Sequence, residues 1–197
     1  MRREDFIHVL QAAAAVVQDE LVVVGSQAVL GTVDAPPPEL LRSMEVGVYP
    51  RSKPERAVEI DGAIGEGSRF HETYGYYAHG VGPETITAPV GWESRLQTLE
   101  LVPIRRAGGQ TIVWCLSLPD LMLAKLAAGR PHDITFVEEA LNGRLVTVDE
   151  LRLGVDLMPE NSRAGVARGF TSVRSSPARR QTWKSRSLRP SDGQGRK

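Results

Sequence analysis

The chain has 197 residues, 41% hydrophobic and 24% charged, which is the balance of an ordinary globular domain with enough apolar mass for one well-buried core. Basic and acidic residues number 24 each, so the formal net charge is zero. The single cysteine, Cys115, excludes an intramolecular disulfide and a cysteine-based zinc site, and no apolar stretch is long enough to span a bilayer.

The first residues, Met1-Arg2-Arg3-Glu4-Asp5, start basic. Glu4, Asp5 and His8 then interrupt any signal-peptide core, so a cytoplasmic location is expected. From Arg3 to Asp19 the apolar residues Phe6, Val9, Leu10, Ala13, Val16 and Val17 follow the spacing of an amphipathic helix. Leu21 to Val24 is short, β-branched and bounded by Gly25, which predicts a buried strand. Ser26 is placed to cap a helix over Gln27 to Leu30. Pro36-Pro37-Pro38 marks a loop.

Met44 to Tyr49 alternates with period two, so Glu45 and Gly47 share the face opposite Met44, Val46 and Val48. Pro54 opens a helix to Ile64, and a glycine-rich stretch from Gly62 to Gly91 reads as irregular. Leu96 to Ile104 and Thr111 to Leu116 read as strands joined by a hairpin at Ala107-Gly108-Gly109. Cys115 packs within the second of them. Ser117 then caps a helix that stops at Gly129, and helices follow over Pro131 to Leu141 and Thr147 to Leu157, the last with a Thr147/Glu150 capping box. This order predicts a mixed α/β or α+β domain with a small sheet.

From Pro159 onward ten basic residues face only Glu160 and Asp192, giving +8, against −8 for the rest of the chain. Rich in Ser, Gly and Pro and poor in large apolar residues, this tail is expected to be disordered. Two readings fit it, a nucleic-acid-binding arm and a solvated extension or even out-of-frame sequence, and the second is favoured because its Arg and Lys are scattered and form no periodic face.

Gly25-Ser26 with its following helix, the downstream strand Glu45-Val46-Gly47, and the segment Leu118 to Val137 together resemble the nucleotidyltransferase-like proteins related to AbiEii-type toxins. Ser68 to Tyr77 and Gly91 to Leu96 are similar to an uncharacterised bacterial branch of that superfamily. The resemblance spans Phe6 to Leu157 and leaves out the basic tail. It implies a nucleotidyltransferase-type domain over residues 1–158, a small mixed sheet flanked by helices, followed by the tail 159–197.

It also implies roles for particular residues. Gly25 and Ser26 match the turn that holds nucleotide phosphates through backbone N–H groups and a hydroxyl. Glu45 matches the first of two metal carboxylates that would hold Mg²⁺, but the second position is Gly47, which has no ligand to offer. Lys125 and Asp133 match the C-terminal motif that faces the site, and Arg130 is placed to bind an anion through its planar donors. Glu100 is the sole candidate for a third carboxylate. The expected ligands are a nucleoside triphosphate and Mg²⁺, with an RNA or protein acceptor and an antitoxin-like partner.

Without the resemblance, the same residues have simpler readings. Gly25-Ser26 is then a strand-to-helix turn, Glu45 beside Arg42 a surface charge, Lys125 a solvated helix residue and Asp133 a helix cap. His71-Glu72 and His79 lack the His-Glu-x-x-His spacing that places two imidazoles on one helical face. Tyr74, Tyr76 and Tyr77 fit either base stacking or a small core. Three functional classes follow: an active nucleotidyltransferase, a degenerate member that keeps the fold without the chemistry, and a non-enzymatic interaction module. Gly47 favours the second over the first.

Overall fold

The computed structural model describes residues 1–101 and 111–175. Helix α1 (Arg3–Val17) buries Phe6, Val9, Leu10, Ala13 and Val17 along one face, as their spacing demands, and ends at Gln18 in the left-handed conformation. Each large apolar side chain removed from water there contributes about 2 kcal/mol. Strand β1 (Leu21–Val23) is buried throughout and forms the centre of the sheet. A tight turn over Ser26–Ala28 then leads into α2 (Val29–Thr32). Ser26 does not cap this segment: Gly25 stands at the cap position in extended backbone, and the turn closes on the bond from the Ala28 N–H to the Gly25 carbonyl at 3.1 Å.

Strand β2 (Glu45–Pro50) follows a second short turn over Pro38–Leu41, and a third over Pro54–Arg56 opens α3 (Ala57–Ile64). The stretch expected to be irregular contains two elements. Ser68 accepts the His71 N–H and caps α4 (Arg69–Tyr74), which stops at Gly75 with φ 77°, and β3 (Tyr77–Gly80) begins two residues later. Gly75 thus terminates the helix and does not break it.

Strands β4 (Gln97–Leu101) and β5 (Thr111–Cys115) pair antiparallel, while the expected hairpin turn at Ala107-Gly108-Gly109 lies outside the described residues. Four helices complete the fold: α5 (Leu118–Ala128), α6 (Pro131–Asn142), α7 (Val148–Val155) and α8 (Glu160–Ser175). Ser117 caps α5 by accepting the Asp120 N–H, Gly129 ends it with φ 65°, and Thr147 with Glu150 forms the expected capping box of α7.

The sheet order is β3-β2-β1-β5-β4. β1 runs antiparallel to β2 and parallel to β5, β2 runs parallel to β3, and the result is the expected small mixed sheet flanked by helices. Helices α1 and α3 pack on β2 and β3, and α2 packs on β4 and β5. Gly31 makes the α2 contact possible, since a Cβ there would run into the Cys115 Sγ. His8 of α1 meets Phe70, Tyr74 and Tyr76, so Tyr74 and Tyr76 belong to an aromatic cluster between α1, α4 and β3. Arg95 grips the buried Asp120 with bonds of 2.9 and 3.0 Å and ties the segment before β4 to the start of α5.

Disorder was expected from residue 159, and the first part of that expectation is wrong. Helix α8 lies along α5 and buries Val166 and Val173. Gly165 and Gly169 allow the approach, because a Cβ on either would stand 2.7 Å from the carbonyl oxygen of Ala127 or Leu126. Composition concealed this, since glycine reads as a loop signal although here it lets two helix backbones meet. Residues 176–197 lie outside the described residues. No helix among the described residues is long and apolar enough to cross a membrane.

Candidate functional site

The carboxyl ends of β1 and β5, the cleft face of β2 and the amino-terminal part of α6 surround a cleft of about 830 Å³. Gly25, Ser26, Glu45, Gly47, Lys125, Arg130 and Asp133 all line it. The six site residues named from the sequence are therefore brought together, and Gly47 lines the same cleft. Thr85, Ile86 and Thr87 contribute a second wall, and Asn161 and Ser162 of α8 a third. Glu100 does not reach the cleft; it sits on β4 at the opposite edge of the sheet from β3.

The basic side of the cleft is an ion cluster centred on a buried carboxylate and built across the turn between α5 and α6. Lys125 Nζ donates to Asp133 Oδ1 at 2.8 Å, and Arg130 Nε donates to Asp133 Oδ2 at 2.6 Å. Asp133 is fully buried and Lys125 nearly so, which replaces the readings of Asp133 as a cap and Lys125 as a solvated residue. Lys125 also stands 4.5 Å from the Phe136 ring centroid. Burial pushes the Asp133 carboxyl up, but the bonds from Arg130 and Lys125 outweigh it and hold the group below its ordinary value. The same bond raises the Arg130 guanidinium, and the field of Glu45 adds to the effect. Two cations and one carboxylate leave one net positive charge on this wall, and the Arg130 side chain is still 64% exposed.

The acidic side is different. Glu45 is half-exposed, and both of its oxygens are engaged: the Tyr77 hydroxyl donates to Oε2 at 3.2 Å, and His79 Nδ1 lies 3.1 Å from Oε1. Burial, followed by the field of Glu45, pushes the Tyr77 phenol up to about 12. Gly47 brings no donor, and among the described residues no group of three or more His, Cys, Asp or Glu gathers to hold a metal ion. The pair of strand carboxylates that two Mg²⁺ ions need is thus not present. A side chain at position 47 would have room, since a Cβ there meets nothing closer than Val81 Cγ2 at 3.8 Å.

Sequence reasoning missed Tyr77 and His79 as partners of Glu45. Their signal is the parallel register Glu45↔Tyr77 and Gly47↔His79, which is invisible while β3 is read as a loop. His132, 3.6 Å from Asp133 Oδ1, was missed as well, and so was the contribution of α8.

Residues 4–158, more than three quarters of the chain, match the family model described as a nucleotidyltransferase of unknown function (DUF6036). No curated protein and no solved structure matches the chain.

Proposed function

The chain belongs to that nucleotidyltransferase family, and we propose that its cleft binds the phosphates of a nucleoside triphosphate while its capacity for nucleotidyl transfer is largely lost. One observation carries this reading: the Gly25-Ser26 turn, Lys125, Arg130 and Asp133 converge on one cleft whose acidic side has Glu45 but only Gly47 beside it. Phosphate oxygens meet backbone N–H groups and the Ser26 hydroxyl on one side and the partly neutralised Lys125–Asp133–Arg130 cluster on the other. That cluster is held by its own bonds, so it needs little reorganisation when an anion arrives.

Transfer asks for more. The attack of an acceptor oxygen on a phosphorus develops charge on the phosphoryl oxygens and on the departing pyrophosphate, and paired metals normally clamp both. Without the second carboxylate that compensation is missing, at a cost of about 3 kcal/mol or more in the barrier. The relation to toxin-type transferases, with RNA or protein as acceptor and an antitoxin-like partner, belongs to the alternative in which Glu45 alone suffices.

The two are separated by incubating the protein with labelled nucleoside triphosphates, Mg²⁺ or Mn²⁺ and total RNA, beside Gly47→Asp. Label transferred only by Gly47→Asp supports the degenerate reading. Transfer by the native protein that disappears in Glu45→Ala overturns it.

A further inference from the structure

Most of the uncharged polar side chains that line the cleft are already engaged. Ser43 Oγ is bonded to the Glu45 backbone, and Thr85 Oγ1 and Ser162 Oγ donate to the Gly82 and Pro159 carbonyls, each at 2.7 Å. Ser26, Thr87 and Asn161 line the cleft with no hydrogen-bond partner among the described residues. Ser26 belongs to the turn assigned above to phosphates, whereas Thr87 and Asn161 are exposed and stand on the two walls that contribute no charged group. Those walls are fastened together. The Val90 N–H donates to the Leu157 carbonyl at 2.7 Å, and Arg163 donates to the carbonyls of Asp156 and Met158 at 2.7 and 3.0 Å. The segment carrying Thr87 and the start of α8 carrying Asn161 therefore share one frame. Helix α8 begins at Glu160, beyond the family segment 4–158, so that segment does not include the Asn161 wall. The apolar lining is free of aromatic rings: on α5 it comes from Leu121, Ala124 and Ala128, one face of the helix at i, i+3 and i+7. Alanine keeps this face low, so a flat ring can lie close to the helix, and Lys125 is on the same face.

We infer that Asn161, with Thr87, reads the edge of a nucleobase lying against Ala124 and Ala128, which makes these two polar residues the specificity-determining residues of the cleft. The inference rests on the nucleotide reading above and adds what selects the nucleotide. A cleft of about 830 Å³ has room for more than a phosphate chain. A further anion would find no cation on the Thr87 and Asn161 walls, whereas a neutral planar heterocycle leaves no charge unpaired there. The Asn161 carboxamide offers a donor and an acceptor side by side, the arrangement that pairs in two bonds with a base edge. The Thr87 hydroxyl adds one bond in either sense. The four bases carry their donors and acceptors at different edge positions. Where donor meets donor or acceptor meets acceptor, a desolvated group is left unpaired, and that penalty separates one base from another.

The test titrates the four nucleoside triphosphates and inorganic tripolyphosphate into the full chain, beside Asn161→Leu and Thr87→Val. The native chain should separate its best from its worst triphosphate by about tenfold. Asn161→Leu should weaken the best by about tenfold and narrow the spread, and Thr87→Val should weaken it by about threefold, with unchanged melting temperatures. Tripolyphosphate should bind all three proteins equally. The Asn161 side-chain amide signals should shift with the best triphosphate and stay in place with tripolyphosphate. Equal affinity of the native chain for all four triphosphates, undiminished affinity in Asn161→Leu, or amide signals moved equally by tripolyphosphate overturns the base subsite. Tripolyphosphate keeps the two readings apart. If it binds and Gly25→Val weakens it while the four triphosphates do not differ, only the base subsite falls. If triphosphates bind through Asn161 while tripolyphosphate does not bind and Gly25→Val changes nothing, the phosphate reading falls and the base subsite stands. If nothing binds, both fall.

Discussion

Lys125 and Asp133 meet Nζ to Oδ1 at 2.8 Å, although the helices that carry them are separated by the turn at Gly129. Arg130 occupies the other Asp133 oxygen, so a single buried carboxylate orients both cations of the cleft. Removing the carboxylate charge leaves Lys125 buried and uncompensated. Asp133→Asn should therefore lose about 3 to 5 kcal/mol in urea unfolding. The double variant Lys125→Met/Asp133→Leu, which removes the cation with its partner, should recover most of that loss. A cost below about 1 kcal/mol for Asp133→Asn would contradict the geometry.

The same carboxylate sets a pH dependence. Its folded-state pKa lies below the ordinary 3.8, so its contribution is fully present above that value and is lost as pH falls through the lower folded value. Unfolding measured into this acid range should show the native chain losing more stability than Asp133→Asn does. Parallel curves for the two proteins would show that Asp133 does not titrate differently in the folded state.

Gln27, in the turn that follows Gly25, is buried, and neither its Nε2 nor its Oε1 has a hydrogen-bond partner among the described residues. An orphaned buried amide costs about 1 to 3 kcal/mol, whereas an apolar group of similar shape carries no such penalty. Gln27→Met should thus be neutral or stabilising, by up to about 2 kcal/mol, in thermal or urea unfolding. A clear loss of stability would show that the amide is satisfied in solution.

Helix α8 supplies Asn161 and Ser162 to the cleft only while it lies against α5. Gly165→Leu or Gly169→Leu places a side chain where the α5 carbonyls stand and should detach the helix. Amide exchange in 160–175 should accelerate, with the protection of β1, β2 and β5 preserved. Unchanged protection of α8 in both variants would contradict the close approach.

Much of this arrangement was legible in local patterns. The apolar spacing of α1, the Ser117 and Thr147 caps, and the alternation that puts Glu45 and Gly47 on one face are short-range signals, and they appear as expected. What stayed hidden depends on contacts between distant segments. β3 is a short edge strand whose glycine neighbours look like loop, so the Tyr77–Glu45–His79 cluster could not be seen before the β2–β3 register was known. Lys125 and Asp133 carry a sequence pattern that singles them out, but their direct bond needed the angle between α5 and α6. The docking of α8 rests on Gly165 and Gly169, residues that composition counts against helix.

The central claim is that the Gly25-Ser26 cleft holds nucleotide phosphates, and Gly25→Val tests it most directly. Gly25 sits in extended backbone, and a Cβ there meets only the Gly47 nitrogen, at 3.9 Å, so the variant keeps the fold while filling the cleft floor. Calorimetric titration of the four nucleoside triphosphates should show binding of at least one to the native chain and a loss of about tenfold or more, roughly 1.4 kcal/mol, in Gly25→Val at an unchanged melting temperature. Absence of binding to the native chain, or equal binding by Gly25→Val, would contradict the account.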